Sequence, residues 1–137
     1  MLSIGELSRA TGVKVPTIRY YEEIGLLDAP ERSNGNQRRY SEQAQARLAF
    51  VRHGRDLGLS IDAIRSLIDL SRDPDRACAQ ADRIAQTHLE DISERIDKLQ
   101  RLKRELERIT ASCDGGTMRD CKVIEALADH TGCAGEH

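Results

Sequence analysis

Residues 3–25 read SIGELSRATGVKVPTIRYYEEIG, and the fold is decided there. Ser3-Ile4-Gly5-Glu6 has the S-x-x-E spacing in which a serine hydroxyl and a glutamate reciprocally satisfy the first free amides of a helix. Ile4, Leu7 and Ala10 follow at helical spacing, and Gly12 ends the run. Pro16 suits the first turn of a second helix, where its missing N–H leaves no bond unmade. That helix runs from Thr17 to Ile24 and stops at Gly25. Two short helices joined by a glycine-bearing turn predict a helix-turn-helix.

Outward from this pair, Asn34-Gly35-Asn36 is a hairpin-turn signal between two extended pieces carrying Arg32, Arg38 and Arg39, which predicts a wing. Ser41 and Ser60 are expected to cap helices over about 42–56 and 61–70, and Asp73-Pro74-Asp75 breaks the chain. From about Arg76 to Ala111 there is neither Gly nor Pro. Ala85, Ile92, Leu99 and Leu106 repeat every seven residues, with Leu102 and Ile109 at the companion position and Leu89 and Ile96 beside the stripe. Such a seam on so long a helix predicts a coiled-coil partner. The expected architecture is mainly α: a winged helix-turn-helix over residues 1–71, a linker and long antiparallel dimerisation helix over 72–112, and a loop, short helix and polar tail over 113–137.

Composition narrows the function. The chain has 137 residues, no Trp and one Phe, and 32% of it is charged, which suits long solvated helices better than a sandwich or barrel. Net charge is -2, but residues 1–60 hold nine Lys/Arg against seven Asp/Glu, so the front half is the better candidate for meeting an anion. No apolar run reaches membrane-spanning length and no signal peptide precedes the first helix, so a cytoplasmic chain without a membrane partner is expected. There Cys78, Cys113, Cys121 and Cys133 are expected as thiols or metal ligands rather than disulfides.

A recognition helix enters the major groove while Arg and Tyr hold phosphates. Thr17 lies near its N-terminus, Arg19 at its centre. Of Tyr20 and Tyr21, one ring is expected to pack inward and the other to offer its hydroxyl to a phosphate. Ile4-Gly5-Glu6-Leu7, Thr17-Ile18-Arg19-Tyr20-Tyr21-Glu22, Ile24-Gly25-Leu26-Leu27 and Arg38-Arg39-Tyr40 together resemble the MerR family of regulators, and the likeness covers the whole chain. The resemblance implies DNA contacts by Arg19, Tyr21, Arg32 and Arg38, with Thr17 and Tyr40 completing the set. Gln37 stands where many relatives have Tyr, so that position is assigned no contact. It further implies a homodimer that binds double-stranded promoter DNA across an overlong spacer. Bending and untwisting that spacer when inducer binds would act on RNA polymerase indirectly.

The cysteines suggest the inducer. Cys78 and Cys113 are 35 residues apart at opposite ends of one helical pattern, about 52 Å if it is continuous, so they cannot share an ion within a chain. In an antiparallel pair, Cys78 of one protomer can meet Cys113 and Cys121 of the other. Cys113 and Cys121 flank a glycine-containing loop with C-x7-C spacing, which resembles the clamp of metal-responsive relatives. Two thiolates suit copper(I); a third ligand suits zinc, cadmium, lead or mercury(II). In the family, copper-group sensors resemble this loop length but carry Ser at the place of Cys78, whereas divalent-ion sensors carry Cys, so a divalent inducer is expected with copper(I) as the alternative. Each cysteine could instead be a small buried hydrophobe. His88 lies on the seam, where a packed imidazole is the plain reading; with His130, Cys133 and His137 it is the other candidate set, for a second ion. A thiol redox sensor is a third reading. A drug-sensing relative would need an appended ligand-binding domain, and no nucleophile–base pair or phosphate-binding glycine motif points to an enzyme.

Overall fold

The computed structural model describes residues 1–32, 35, 37–112 and 115–128, with the backbone alone for Arg38. Helix α1 spans Ile4–Thr11 and α2 spans Val15–Glu23. The capping box forms: the Glu6 amide donates to Ser3 Oγ at 3.2 Å and the Ser3 amide to Glu6 Oε1 at 3.1 Å. Those bonds from Ser3, with Arg39 and Arg9 adding attraction, hold the Glu6 carboxyl below its ordinary value. Because the folded state favours the charged form, this contribution is present above the unfolded carboxyl range and fades as pH falls through the lowered one. Gly12 ends α1 at φ 73°, a left-handed conformation that favours glycine. Pro16 sits in the first turn of α2.

Strands β1 (Glu31–Arg32) and β2 (Arg38–Arg39) pair antiparallel, Glu31 opposite Arg39 and Arg32 opposite Arg38. Helices α3 (Glu42–Asp56) and α4 (Ile61–Ser71) begin at Ser41 and Ser60, whose hydroxyls accept from the Ala44 and Ala63 amides. Leu7, Ile18, Leu48 and Ile64 are fully buried in one cluster with Leu26, Tyr40 and Val51. Three arginines serve this packing. Arg52 donates to the Thr11 carbonyl, Arg65 to that of Ile24 at 2.7 Å and Arg55 to that of Leu59 at 2.7 Å, satisfying backbone oxygens at or just beyond the ends of α1, α2 and α3.

Helices α3 and α4 approach closely at Gly54, where an added Cβ would stand 2.8 Å from Ile64 Cγ1. Ile64 is fully buried and has nowhere to retreat. Gly54→Val is therefore expected to destabilise the N-terminal unit by about 1–3 kcal/mol through overpacking. Denaturant unfolding followed by circular dichroism checks this; an unchanged midpoint would mean the contact is slack.

Helix α5 is unbroken from Ala79 to Ala111, 33 residues or about 50 Å long. A short 3-10 turn, Met118–Asp120, and α6, Lys122–Ala128, follow. The chain divides into two compact units, Met1–Ile84 and Ala85–His137. The boundary falls inside α5 because Ile84 packs against the N-terminal core, whereas the sequence placed boundaries after residues 71 and 112.

Candidate nucleic-acid interface and metal centre

Helix α2 buries Ile18 and Tyr21, three residues apart on one face, and this turns Arg19 and Tyr20 outward. The two tyrosine rings lie 6.0 Å apart, tilted by 48°. Tyr20 is 49% exposed and Tyr21 8%, so one ring does pack inward, but the outward ring is not the one assigned to DNA. Tyr40, also expected at DNA, is 1% exposed and its hydroxyl donates to Glu22 Oε1 on α2, which anchors it in the core. Thr17 is half-buried near the start of α2, and Arg32 is exposed on β1.

The wing is tied to the helices at three places. Leu2 and Tyr40 exchange backbone bonds of 2.9 and 2.8 Å, Tyr40 reaches Glu22, and Arg39 approaches Glu6 at 3.9 Å. Recognition helix and wing are thus held on one scaffold. Of the arginines on this face, Arg19 is exposed, and Arg39 is engaged with Glu6 and Gln37.

Cys78 is exposed at the head of α5, where its carbonyl accepts from the Asp82 amide at 2.9 Å. It lines a groove of about 320 Å³ with Phe50, Leu67, Leu70, Pro74 and Ala81. Cys121 is half-buried and immediately precedes α6, its carbonyl accepting from the Glu125 amide at 3.0 Å. Neither exposed Cys78 nor Cys121 fits the description of a fully buried hydrophobe. His88 is half-buried on α5. Cys113, His130, Cys133 and His137 lie outside the described residues. Among the described residues, no three His, Cys, Asp or Glu side chains converge within the chain. Each of the two described thiols is a soft donor of the kind that a thiophilic ion takes.

One group escaped the sequence. Glu105, on α5, has a side chain only 9% exposed, and its Oε2 has no hydrogen-bond partner among the described residues. An acid on a charged helix reads as solvated, and no spacing rule marks it otherwise. No helix of the described residues is long and apolar enough to cross a membrane.

Comparison with known proteins bears on both surfaces. The profile described as "MerR HTH family regulatory protein" matches residues 2–70, and that described as "MerR, DNA binding" matches residues 45–109. The chain is 41% identical over 128 residues to the HTH-type transcriptional regulator HmrR of Rhizobium leguminosarum bv. viciae, covering 93% of this chain and 98% of that one. It is 36% identical to heavy metal-dependent transcription regulator 2 of Rhizobium meliloti (strain 1021), covering 93% of this chain and 87% of that one. Among solved structures it resembles the transcription regulator PbrR691 from Ralstonia metallidurans CH34 in complex with lead(II), at TM-score 0.82 and 36% identity over 93% of this chain and 99% of that chain.

Proposed function

The chain belongs to the MerR family of helix-turn-helix regulators, and from that premise we propose that it binds promoter DNA as a homodimer and activates metal-resistance or efflux genes when a thiophilic divalent ion binds. As a transcription regulator it is not an enzyme. Helix α2 enters the major groove, with Arg19 and Thr17 at base edges or phosphates and a hydroxyl of the Tyr20-Tyr21 pair on a phosphate. Arg32 and Arg38 extend the grip from the wing. The cytoplasm is the compartment in which such a regulator meets its promoter and keeps its thiols reduced.

The observation that carries the inducer is Cys78, exposed at the head of a 33-residue helix whose far end leads to Cys113 and Cys121. Cys113 and Cys121 with Cys78 of the partner subunit would hold the ion, which supplies a thiolate crosslink between the two chains. The similarity to a lead(II)-bound regulator supports a divalent ion of the zinc, cadmium, lead and mercury group. The magnitude is adequate. Driving a two-state protein from 1:99 to 99:1 takes about 5.5 kcal/mol of differential affinity. Smooth bending of a 20–30 bp site costs on the order of 1–6 kcal/mol, and thiolate sites release more than that on binding.

The seven residues between Cys113 and Cys121 favour the second reading, a copper(I) sensor using two thiolates. Anaerobic titration of reduced apoprotein with cadmium and copper(I), wild type against Cys78→Ser, separates them by thiolate charge-transfer absorption. The divalent reading expects about one cadmium per protomer with roughly three thiolates' intensity, one of which Cys78→Ser removes. Weak cadmium binding with tight copper(I) binding indifferent to Cys78→Ser establishes copper(I). Disulfide formation without stoichiometric metal uptake would instead establish the redox reading. His88, His130, Cys133 and His137 remain candidates for a second ion, which the same titration would register as a second equivalent.

A further inference from the structure

None of the DNA contacts proposed above falls to Arg39, and its surroundings point to another role. In the β1–β2 pair it stands opposite Glu31. Residues directly opposite in an antiparallel pair share a face. Glu31 and Arg39 both line a cavity of about 620 Å³ whose other walls include Leu27, Phe50 and Ile68 of the helical scaffold. Arg32, next to Glu31 on β1, takes the other face by alternation. The wing thus turns Arg39 towards the helices and Arg32 away from them. What Arg39 meets is Glu6, Nη1 to Oε1 at 3.9 Å, while its Nη2 donates to Gln37 Oε1 at 3.3 Å. Glu6 is fixed in turn, because its Oε1 accepts from the Ser3 amide in the box that starts α1. One carboxylate therefore joins the head of α1, which packs on α2, to β2 of the wing.

We infer that the Glu6–Arg39 ion pair is a positioning contact for DNA binding: it sets the pitch of the wing against α1 and α2, so that Arg32 meets its phosphate once α2 is in the groove. This rests on the wing contact proposed above. Arg39 itself touches no phosphate. Preorganisation of this kind raises affinity by cutting the cost of ordering the wing, not by adding a contact. The two side chains are 34% and 47% exposed, so the effect is modest rather than decisive for folding.

The test is operator titration of the full-length protein by fluorescence anisotropy over a range of salt, wild type against Glu6→Gln, Arg39→Gln and the double variant. The side-chain oxygen of the Glu6→Gln variant still accepts from the Ser3 amide, so the cap of α1 survives while the charge goes. Each single variant is expected to bind about 3-fold more weakly, and the double variant no worse than either, because both remove the same contact. The salt slope is expected to stay unchanged, since the bound wing makes the same phosphate contacts. The sign at Glu6 decides. Removing a negative charge that merely sits near DNA leaves affinity equal or higher, so equal or tighter binding by Glu6→Gln overturns the inference. A slope reduced by about 0.9 for each Arg39 lost overturns it too, since Arg39 would then be a phosphate ligand. If Glu6→Gln melts below wild type, Arg39→Gln leaves the cap untouched and carries the test through its affinity and slope. Arg32→Gln run alongside separates the two levels. With the slope reduced there by about 0.9 per contact, no loss at Glu6 sinks this inference alone. An unchanged slope at Arg32 sinks the wing reading, and this inference with it.

Discussion

Cys121→Ser is expected to abolish the metal response while leaving DNA binding intact. Outer-shell partners of a metal site are worth about 10–100-fold in affinity, so removing a thiolate ligand should cost more than about 100-fold. Cys121 is half-buried and sits in the C-terminal unit, whereas α1, α2 and the wing belong to the N-terminal unit. The variant should therefore hold its promoter within about 2-fold of wild type in the absence of metal, as expected of sites that share no partners. Electrophoretic mobility shift with and without cadmium, beside in vitro transcription, reads both quantities. A variant that still responds to cadmium at wild-type concentrations would remove Cys121 from the site. One that also loses DNA binding would show that the loop supports the headpiece.

Much of the fold was legible because its signals are local. Ser3, Ser41 and Ser60 cap the helices they were expected to cap, and the observed Glu42–Asp56 and Ile61–Ser71 match the sequence reading within a residue. A hydroxyl bonding an amide three residues on needs no knowledge of the rest of the chain. The start of α5 was placed three residues early. Arg76 is still in a turn, its amide donating to the Asp73 carbonyl, and the helix begins only after Cys78. What could not be read was anything decided by distant packing. Which of Tyr20 and Tyr21 turns inward depends on the face that Ile18 shares with the core. Tyr40 is buried because Glu22, eighteen residues away, receives its hydroxyl. Glu105 reads as one more solvated charge in the sequence, yet its side chain is only 9% exposed. Exposure along the seam could not be read either: Leu102 and Ile109 are half-covered, whereas Leu89, Ile96, Leu99 and Leu106 are exposed.

Those exposed side chains yield the other large effect. Leu89, Ile96, Leu99 and Leu106 are 57, 48, 64 and 59% exposed, a row of large apolar side chains that a single chain leaves in water. Their spacing along α5 is that of a helix–helix seam, and a second copy of the same helix is the partner that the proposed antiparallel thiolate site requires. Burying a leucine is worth about 1.5–3 kcal/mol relative to exposing it. The double variant Leu99→Asp, Leu106→Asp alters four positions in a symmetric dimer, because each change occurs twice. At about 2 kcal/mol each, the loss is about 8 kcal/mol, or roughly six orders of magnitude in dimer dissociation constant. Sedimentation equilibrium at micromolar concentration should then find a monomer. Arg101→Asp, an exposed position on the opposite face of the same helix, should leave the dimer intact. Operator affinity should fall with the dimer by about 100-fold or more, because each half-site must then be bound without the other. The N-terminal core should be untouched, since none of its buried residues lies beyond Ile68. A double variant that stays dimeric would mean that α5 pairs through another face. The thiolate site would then have to be sought within one protomer.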